Sequence, residues 1–436
     1  MKLPINIYDA AYLSVFPAAA GMVAYKMMRH GKYRESAPAL VGCGLDKEDP
    51  APWKNGSVWV HGVSVGEVIA ARAMLPLLRE YFHPLPILLT THTETGQAVA
   101  RQLPEGYADA VRYYPMDFSW LMRRYVSLYR PRVFIPMETE LWPNALDIIR
   151  ESGSQIFTLN GKISPRSHRR YQKIGSLIRK PLSRITAFCV QTEGDRERIA
   201  SLLGREDNVH VTGNCKFDVE IPGLSDDDKA ALRAELGLPQ GAPVVVVGST
   251  HPGEEVIALD AYRQVLKAHP EARLVVVPRH PERFGDVWQL LQASGLASVR
   301  ISNAERTMAP TAPGVFLVDK MGLLTRLYGL ADVAVVAGSF VPGIGGHNIL
   351  EPAAHKAPVI YGPDMKGQPD MARILSPENG GTVAQPETLG DSIIQLLSQP
   401  DHAARKGELG YQAYQANRGS AERNMEIIDR YYRNPM

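Results

Sequence analysis

A chain of 436 residues exceeds one ordinary hydrophobic core, so two domains of about 200 residues each are expected. Its 45% apolar and 22% charged residues belong to a folded globular protein and exclude a disordered one. The net charge of +2 excludes a dedicated nucleic-acid binder, so no nucleic-acid partner is expected. Cys43, Cys189 and Cys215 lie far apart without a CxxC pair, which excludes a disulfide framework or zinc module and leaves reduced thiols.

Taken in chain order, the uncharged run Ala10–Tyr25 comes first, with Lys26, Arg29, Lys32 and Arg34 after it. It falls short of the about 20 apolar residues a spanning helix needs, and Pro17 interrupts it. A cleavable signal would carry its positive charge before the apolar run, whereas here the charge follows. A basic flank suits the cytoplasmic side of an anionic membrane. Residues 1–30 are therefore expected to form a membrane-associated helix that need not span and that adds little to the fold. A hydrophobic helix docked on the first domain is the competing reading.

From residue 55 onward, strand, turn and helix repeat. Strands are predicted at Ser57–Val60, Ile87–Thr91, Val133–Met137, Ile156–Leu159, Phe188–Gln191 and Val209–Thr212. Most are continuous apolar runs, the pattern of parallel strands covered on both faces. Helices are predicted between them, at Trp142–Glu151 and Gly194–Leu203 for example. A polar stretch near 217–241 breaks the series, with Ser225 as the N-cap of a helix Asp226–Leu236. Strands then resume at Val244–Gly248, Leu274–Val277, Val315–Val318, Val333–Ala337 and Val359–Tyr361. The fold class is α/β: two successive doubly wound, Rossmann-like units, at 31–220 and 221–415, facing a cleft. A helical segment at 416–436 is expected to pack back on the first domain.

The polar motifs follow the strands. HGVSVGEV (61–68) brings two glycines to a strand's carboxyl end and then Glu67 to a helix start. Glu67 reads either as a first-turn acid complementing the helix dipole or as a general base on a rigid turn. In the second half, GIGGHNILEP (343–352) offers a flexible turn into a helix whose free N–H groups suit a phosphate. There Asn348 and Glu351 share one face, placing Asn348 toward phosphate and Glu351 toward ribose hydroxyls. Arg279 supplies fixed positive charge at another strand end. No GxGxxG follows the first strand and no Walker A sequence is present, which argues against a dehydrogenase or a P-loop enzyme. No DxD pair stands in a loop directly after a strand, the Asp226–Asp228 cluster reads as capping, and no HxxxH spacing is present, so sugar transfer without metal or cofactor is expected.

HGVSVGE, METELWPN, NGKISPRS, GNCKFD, PRHPER and GGHNILEP stand in an order that resembles the bacterial Kdo transferases of lipopolysaccharide synthesis, over roughly residues 1–430. The resemblance implies a GT-B-type glycosyltransferase with an N-terminal membrane-associated helix. It also implies an inverting, metal-independent transfer of Kdo from CMP-Kdo to a lipid A precursor (lipid IVA), at the cytoplasmic face of the inner membrane. Carried over residue by residue, Glu67 corresponds to the proton acceptor. Glu138 and Lys216 correspond to the groups that stabilise the transition state. Pro278, Arg279, Lys320, Met321, Gly322, Asn348, Ile349, Leu350 and Glu351 correspond to the CMP contacts. The alternatives are a GT-B enzyme using another nucleotide sugar and a non-catalytic, membrane-attached nucleotide-binding protein.

Overall fold

The computed structural model describes residues 6–30, 33–302 and 314–434; Lys32 of the expected basic flank lies outside them. The chain divides into two compact units, one running to Glu220 and resuming at Arg418, the other spanning Ile221–Asn417.

The first unit holds a parallel sheet of β1 (Ser57–His61), β2 (Ile87–Thr91), β3 (Ala110–Tyr113), β4 (Pro131–Pro136), β5 (Gln155–Gly161), β6 (Ala187–Val190) and β7 (Val209–Val211). Their spatial order is β3-β2-β1-β4-β5-β6-β7. Alternate residues feed opposite cores. Val58, Val60, Leu89 and Ile135 meet the helix Val65–Phe82, while Trp59, Leu88, Phe134 and Ile156 pack against an aromatic cluster around Tyr114 and Tyr129. Burying each such large side chain contributes about 1.5–3 kcal/mol. The order reverses between β1 and β4, the place where doubly wound sheets bind ligands beyond their strand ends.

The second unit repeats the plan with β8 (Val244–Thr250), β9 (Arg273–Pro278), β10 (Ala297–Arg300), β11 (Gly314–Leu317), β12 (Val333–Val336), β13 (Val359–Tyr361) and β14 (Gly381–Val383). They are ordered β10-β11-β9-β8-β12-β13-β14, and here the reversal lies between β8 and β12. Ser225 caps the helix Asp226–Leu236 as expected, closing a capping box with Asp228, and Gly237 ends it in the left-handed conformation. The chain then returns to the first unit. Asp218 accepts from Gly419 N and Ala421 N at 2.7 Å each, fixing the start of the last helix, Ser420–Arg433.

Three strands were not predicted, and all are edge strands: β3, β10 and β14. They are short and partly exposed, so they lack the apolar run by which covered strands are recognised.

The N-terminal helix corrects two expectations. It runs unbroken from Ile7 to His30, so Pro17 removes a backbone hydrogen bond without ending it. At this length it is long and apolar enough to cross a membrane. It also does not stand apart from the fold. Asp9 is fully buried and accepts from Ser119 N at 2.8 Å, Ser119 Oγ at 2.6 Å and Asn144 Nδ2 at 3.1 Å. Tyr12 and Phe16 add edge-to-face contacts with Phe118. Beyond these anchors the helix is bare: Val15 is 63% exposed and Met28 80%. The docked reading thus describes the anchored part of this helix, and its apolar remainder is exposed.

Candidate active site

At the β1/β4 reversal of the first unit, three acids and a lysine converge. Glu67, 6% exposed, stands in the first turn of Val65–Phe82. Its carboxylate accepts from Val63 N at 2.7 Å and Ser64 Oγ at 3.0 Å. Burial raises its pKa above the usual carboxylate value and Glu138 adds to this, while the two hydrogen bonds and Lys216 work against it. The glycines of the motif allow the close approach. A Cβ on Gly62 would lie 3.2 Å from Glu67 Cβ, and one on Gly66 would lie 3.3 Å from Lys216 Nζ.

Glu138 follows β4 in a left-handed conformation, φ 59°, which side-chain-bearing residues rarely adopt. Its Oε1 accepts from Lys216 Nζ at 3.1 Å. Lys216 comes from a turn after β7, held when Asn160 Oδ1 accepts from Cys215 N at 3.0 Å; Asn160 ends β5, also at positive φ, 56°. Backbone outliers thus sit at the ends of both β4 and β5, where the side chains of interest are aimed. Glu140 completes the group: burial, then the charges of Glu67 and Glu138, push its pKa up to about 7. Such a cluster can hold and release a proton near neutrality.

The second unit's strand ends are organised differently. Glu254 accepts from Gly338 N at 2.7 Å, Phe340 N at 3.0 Å and His251 N at 3.0 Å, tying the loop after β8 to the one after β12. Glu255 takes a two-pronged ion pair from Arg283, at 2.8 and 3.0 Å. Asp319 is engaged by Arg300 at 2.6 Å. These acids hold loops in place. Pro278 ends β9 in a buried position and Arg279 beside it is exposed. Lys320, Met321 and Gly322 form an exposed turn after β11, with Gly322 at φ 83°.

Asn348 and Glu351 are together, but not as two independent contacts. Asn348 Nδ2 donates to Glu351 Oε1 at 3.2 Å, and its Oδ1 accepts from Leu350 N at 3.1 Å. Glu351 Oε2 accepts from Thr325 Oγ1 at 3.3 Å. Burial raises the Glu351 pKa, opposed by these bonds and by Arg279. The expected helix spans only Leu350–Ala354, with Ile349 and Leu350 buried, so its dipole is that of one short turn. Positive charge at this edge comes from Arg279 and Lys320 instead.

A 3-deoxy-D-manno-octulosonic acid transferase of Haemophilus influenzae is 31% identical over 431 residues, covering 97% of this chain and 98% of its own. The chain belongs to the Kdo transferase family. A Bordetella pertussis transferase of the same description is 32% identical, with 92% of each chain covered. The family described as 3-Deoxy-D-manno-octulosonic-acid transferase (kdotransferase) matches residues 29–219. The fold is GT-B-like. A solved glycosyltransferase from Rickettsia africae superposes with TM-score 0.56 at 14% identity, over 87% of this chain and 100% of that one. A UDP-GlcNAc 2-epimerase from Neisseria meningitidis gives 0.57 at 13%, over 86% and 100%.

In this Kdo transferase, Glu67, Glu138 and Lys216 are brought together in one unit. Pro278, Arg279, the 320–322 turn and the 348–351 segment share the strand-end edge of the other. Two features escaped the candidate set. Glu140 is not among the residues the resemblance carries over, although the repeated acid in METELWPN marks it, with Glu138, as the next candidate base after Glu67. His251 and His347 meet with Nε2 atoms 2.8 Å apart at the β8/β12 reversal. Burial, the partner ring and Arg279 push the His347 pKa down to about 4, and burial lowers that of His251 as well. Ninety-six positions separate these two residues, and no sequence pattern links them.

Proposed function

We propose that this enzyme moves Kdo from CMP-Kdo to a hydroxyl of a lipid A precursor (lipid IVA), inverting the anomeric centre, at the cytoplasmic face of the inner membrane. The observation that carries the reading is the joining of Glu67, Glu138, Glu140 and Lys216 at the β1/β4 reversal in a Kdo transferase family member.

A sugar hydroxyl is a poor nucleophile and needs a base in the transition state. Each oxygen of Glu67 accepts one hydrogen bond and keeps a further lone pair for the acceptor proton. Burial raises its basicity, and the turn holds it rigidly. As the hydroxyl oxygen bonds to the anomeric carbon, the bond from that carbon to the CMP phosphate oxygen breaks. The proton passes to Glu67 and the electron pair leaves with CMP. Positive charge developing on the sugar is met by Glu138 and Glu140, and Lys216 offsets the donor's own carboxylate.

The second unit holds the nucleotide. Arg279 and Lys320 oppose phosphate charge without metal or cofactor, and Glu351 accepts from ribose hydroxyls. The helix Ile7–His30, ending near Lys26 and Arg29, supports the membrane placement. The test is incubation with CMP-Kdo, generated in place, and the lipid A precursor, followed by mass spectrometry of the lipid. Addition of a Kdo mass is expected; an unchanged lipid, or transfer only from another nucleotide sugar, would contradict the reading.

A further inference from the structure

The helix Pro165–Ile174 carries charge for which the fold has no evident use. None of its residues is buried. Arg166, Arg169, Arg170 and Lys173 stand at spacings of three, four and seven, which places them on one face. Together they line a surface hollow of about 410 Å³. None of the four makes an ion pair among the described residues. Like charges at these spacings destabilise a helix by about 0.2–0.5 kcal/mol per pair. An uncompensated face of this kind suits a polyvalent anion, and arginine forks suit phosphate.

The helix is also tied to the carboxylate cluster. In the turn leading into it, Lys162 N donates to Thr139 Oγ1 at 3.0 Å, between Glu138 and Glu140. Tyr171 packs on the core and lies close enough to Glu140 for that charge to raise its pKa. His168 bonds Ser201 Oγ at 2.7 Å, holding the helix on its neighbour Glu193–Leu203. At the far end, Ile174 and Leu177 are exposed, and Tyr8 of the N-terminal helix donates to Leu177 O at 3.0 Å. The cationic helix thus touches the acid-bearing loop through Lys162 and Tyr171, and exposed apolar side chains lie at its far end.

We infer that the face formed by Arg166, Arg169, Arg170 and Lys173 binds a phosphate group of the amphiphilic acceptor, holding its sugar hydroxyl at the carboxylate cluster. This rests on the transferase reading for the identity of the acceptor. The occupant is the acceptor's own phosphate rather than the headgroups of bulk lipid, because the helix is joined to the Glu138–Glu140 loop and not only to the apolar helix.

The test is calorimetric binding of the full chain, in zwitterionic micelles, to the phosphorylated lipid A precursor and to its enzymatically dephosphorylated form. The wild type should prefer the phosphorylated form. R169A/R170A should weaken that binding roughly tenfold, since charge-assisted contacts are lost, and should bind the dephosphorylated form like the wild type. R169K/R170K should recover part of the loss. Transfer assays should show a raised acceptor KM with kcat and CMP affinity unchanged. Equal wild-type affinity for the two lipid forms would overturn the inference, as would unaltered binding by R169A/R170A. A defect confined to sedimentation with phosphatidylglycerol vesicles would assign the face to bulk headgroups and overturn it too. Absence of Kdo transfer by the wild type, with phosphate-dependent lipid binding intact, would instead count against the transferase reading alone.

Discussion

The two units share a strand plan but use acids in opposite ways. In the first, Glu67, Glu138 and Glu140 crowd together, and burial with mutual repulsion raises the pKa values of Glu67 and Glu140. In the second, Glu254 is held by backbone N–H groups, and Glu255 and Asp319 are paired with arginines. Its exposed charges at the strand ends are cations, Arg279 and Lys320. Similar topology thus yields one edge where acids crowd around a lysine and another whose exposed charges are cations.

The largest expected effect bears on the first edge. Glu67→Gln keeps the shape but removes the proton acceptor, so turnover should fall by roughly 10²–10⁴-fold. The amide can turn its oxygen to Val63 N and its N–H₂ to Ser64 Oγ, whose hydroxyl then accepts, so at most about 1 kcal/mol of stability should be lost alongside. Retention of most of the transfer rate would reduce Glu67 to a helix-start acid and blur the contrast between the units.

Glu140 sharpens the contrast through pH. Its pKa rises from 4.5 to about 7 on folding, so the folded protein binds the proton more tightly than the unfolded chain. Stability should therefore fall as pH rises through that window. Glu140→Gln removes this loss: about 1–3 kcal/mol should be gained relative to wild type at pH 8 and almost nothing at pH 4. Thermal melts showing the same difference at both pH values would contradict the cluster electrostatics.

Asp9→Ala should cost about 1–3 kcal/mol, because it strands the buried donors of Ser119 and Asn144. A wild-type melting temperature would return the N-terminal helix to a mere attachment. The smallest effect is expected from a chelator. On the proposal that Arg279 and Lys320 oppose the phosphate charge, EDTA should leave transfer unchanged; loss restored by magnesium would show that cationic side chains are not enough.

Much of this was legible in the sequence because covered parallel strands announce themselves as apolar runs and the polar motifs fall just beyond them. Ser225 and Asp228 announced a helix start equally plainly. Edge strands such as Ala297–Arg300 lack that signature, because one side faces no neighbour. Spacing put Asn348 and Glu351 on one face without showing that they bond each other, and the His251–His347 contact depends on how loops close, which spacing does not encode. The docking of Asp9 was equally hidden, since its partners lie more than a hundred residues away.

The division of labour between the units is tested most directly by CMP calorimetry on Glu67→Gln, Arg279→Ala and Glu351→Ala side by side. Glu67→Gln should bind CMP as the wild type does, while the other two should each lose about 1.5–3 kcal/mol of affinity. Weakened CMP binding in Glu67→Gln, or wild-type affinity in both Arg279→Ala and Glu351→Ala, would contradict the account.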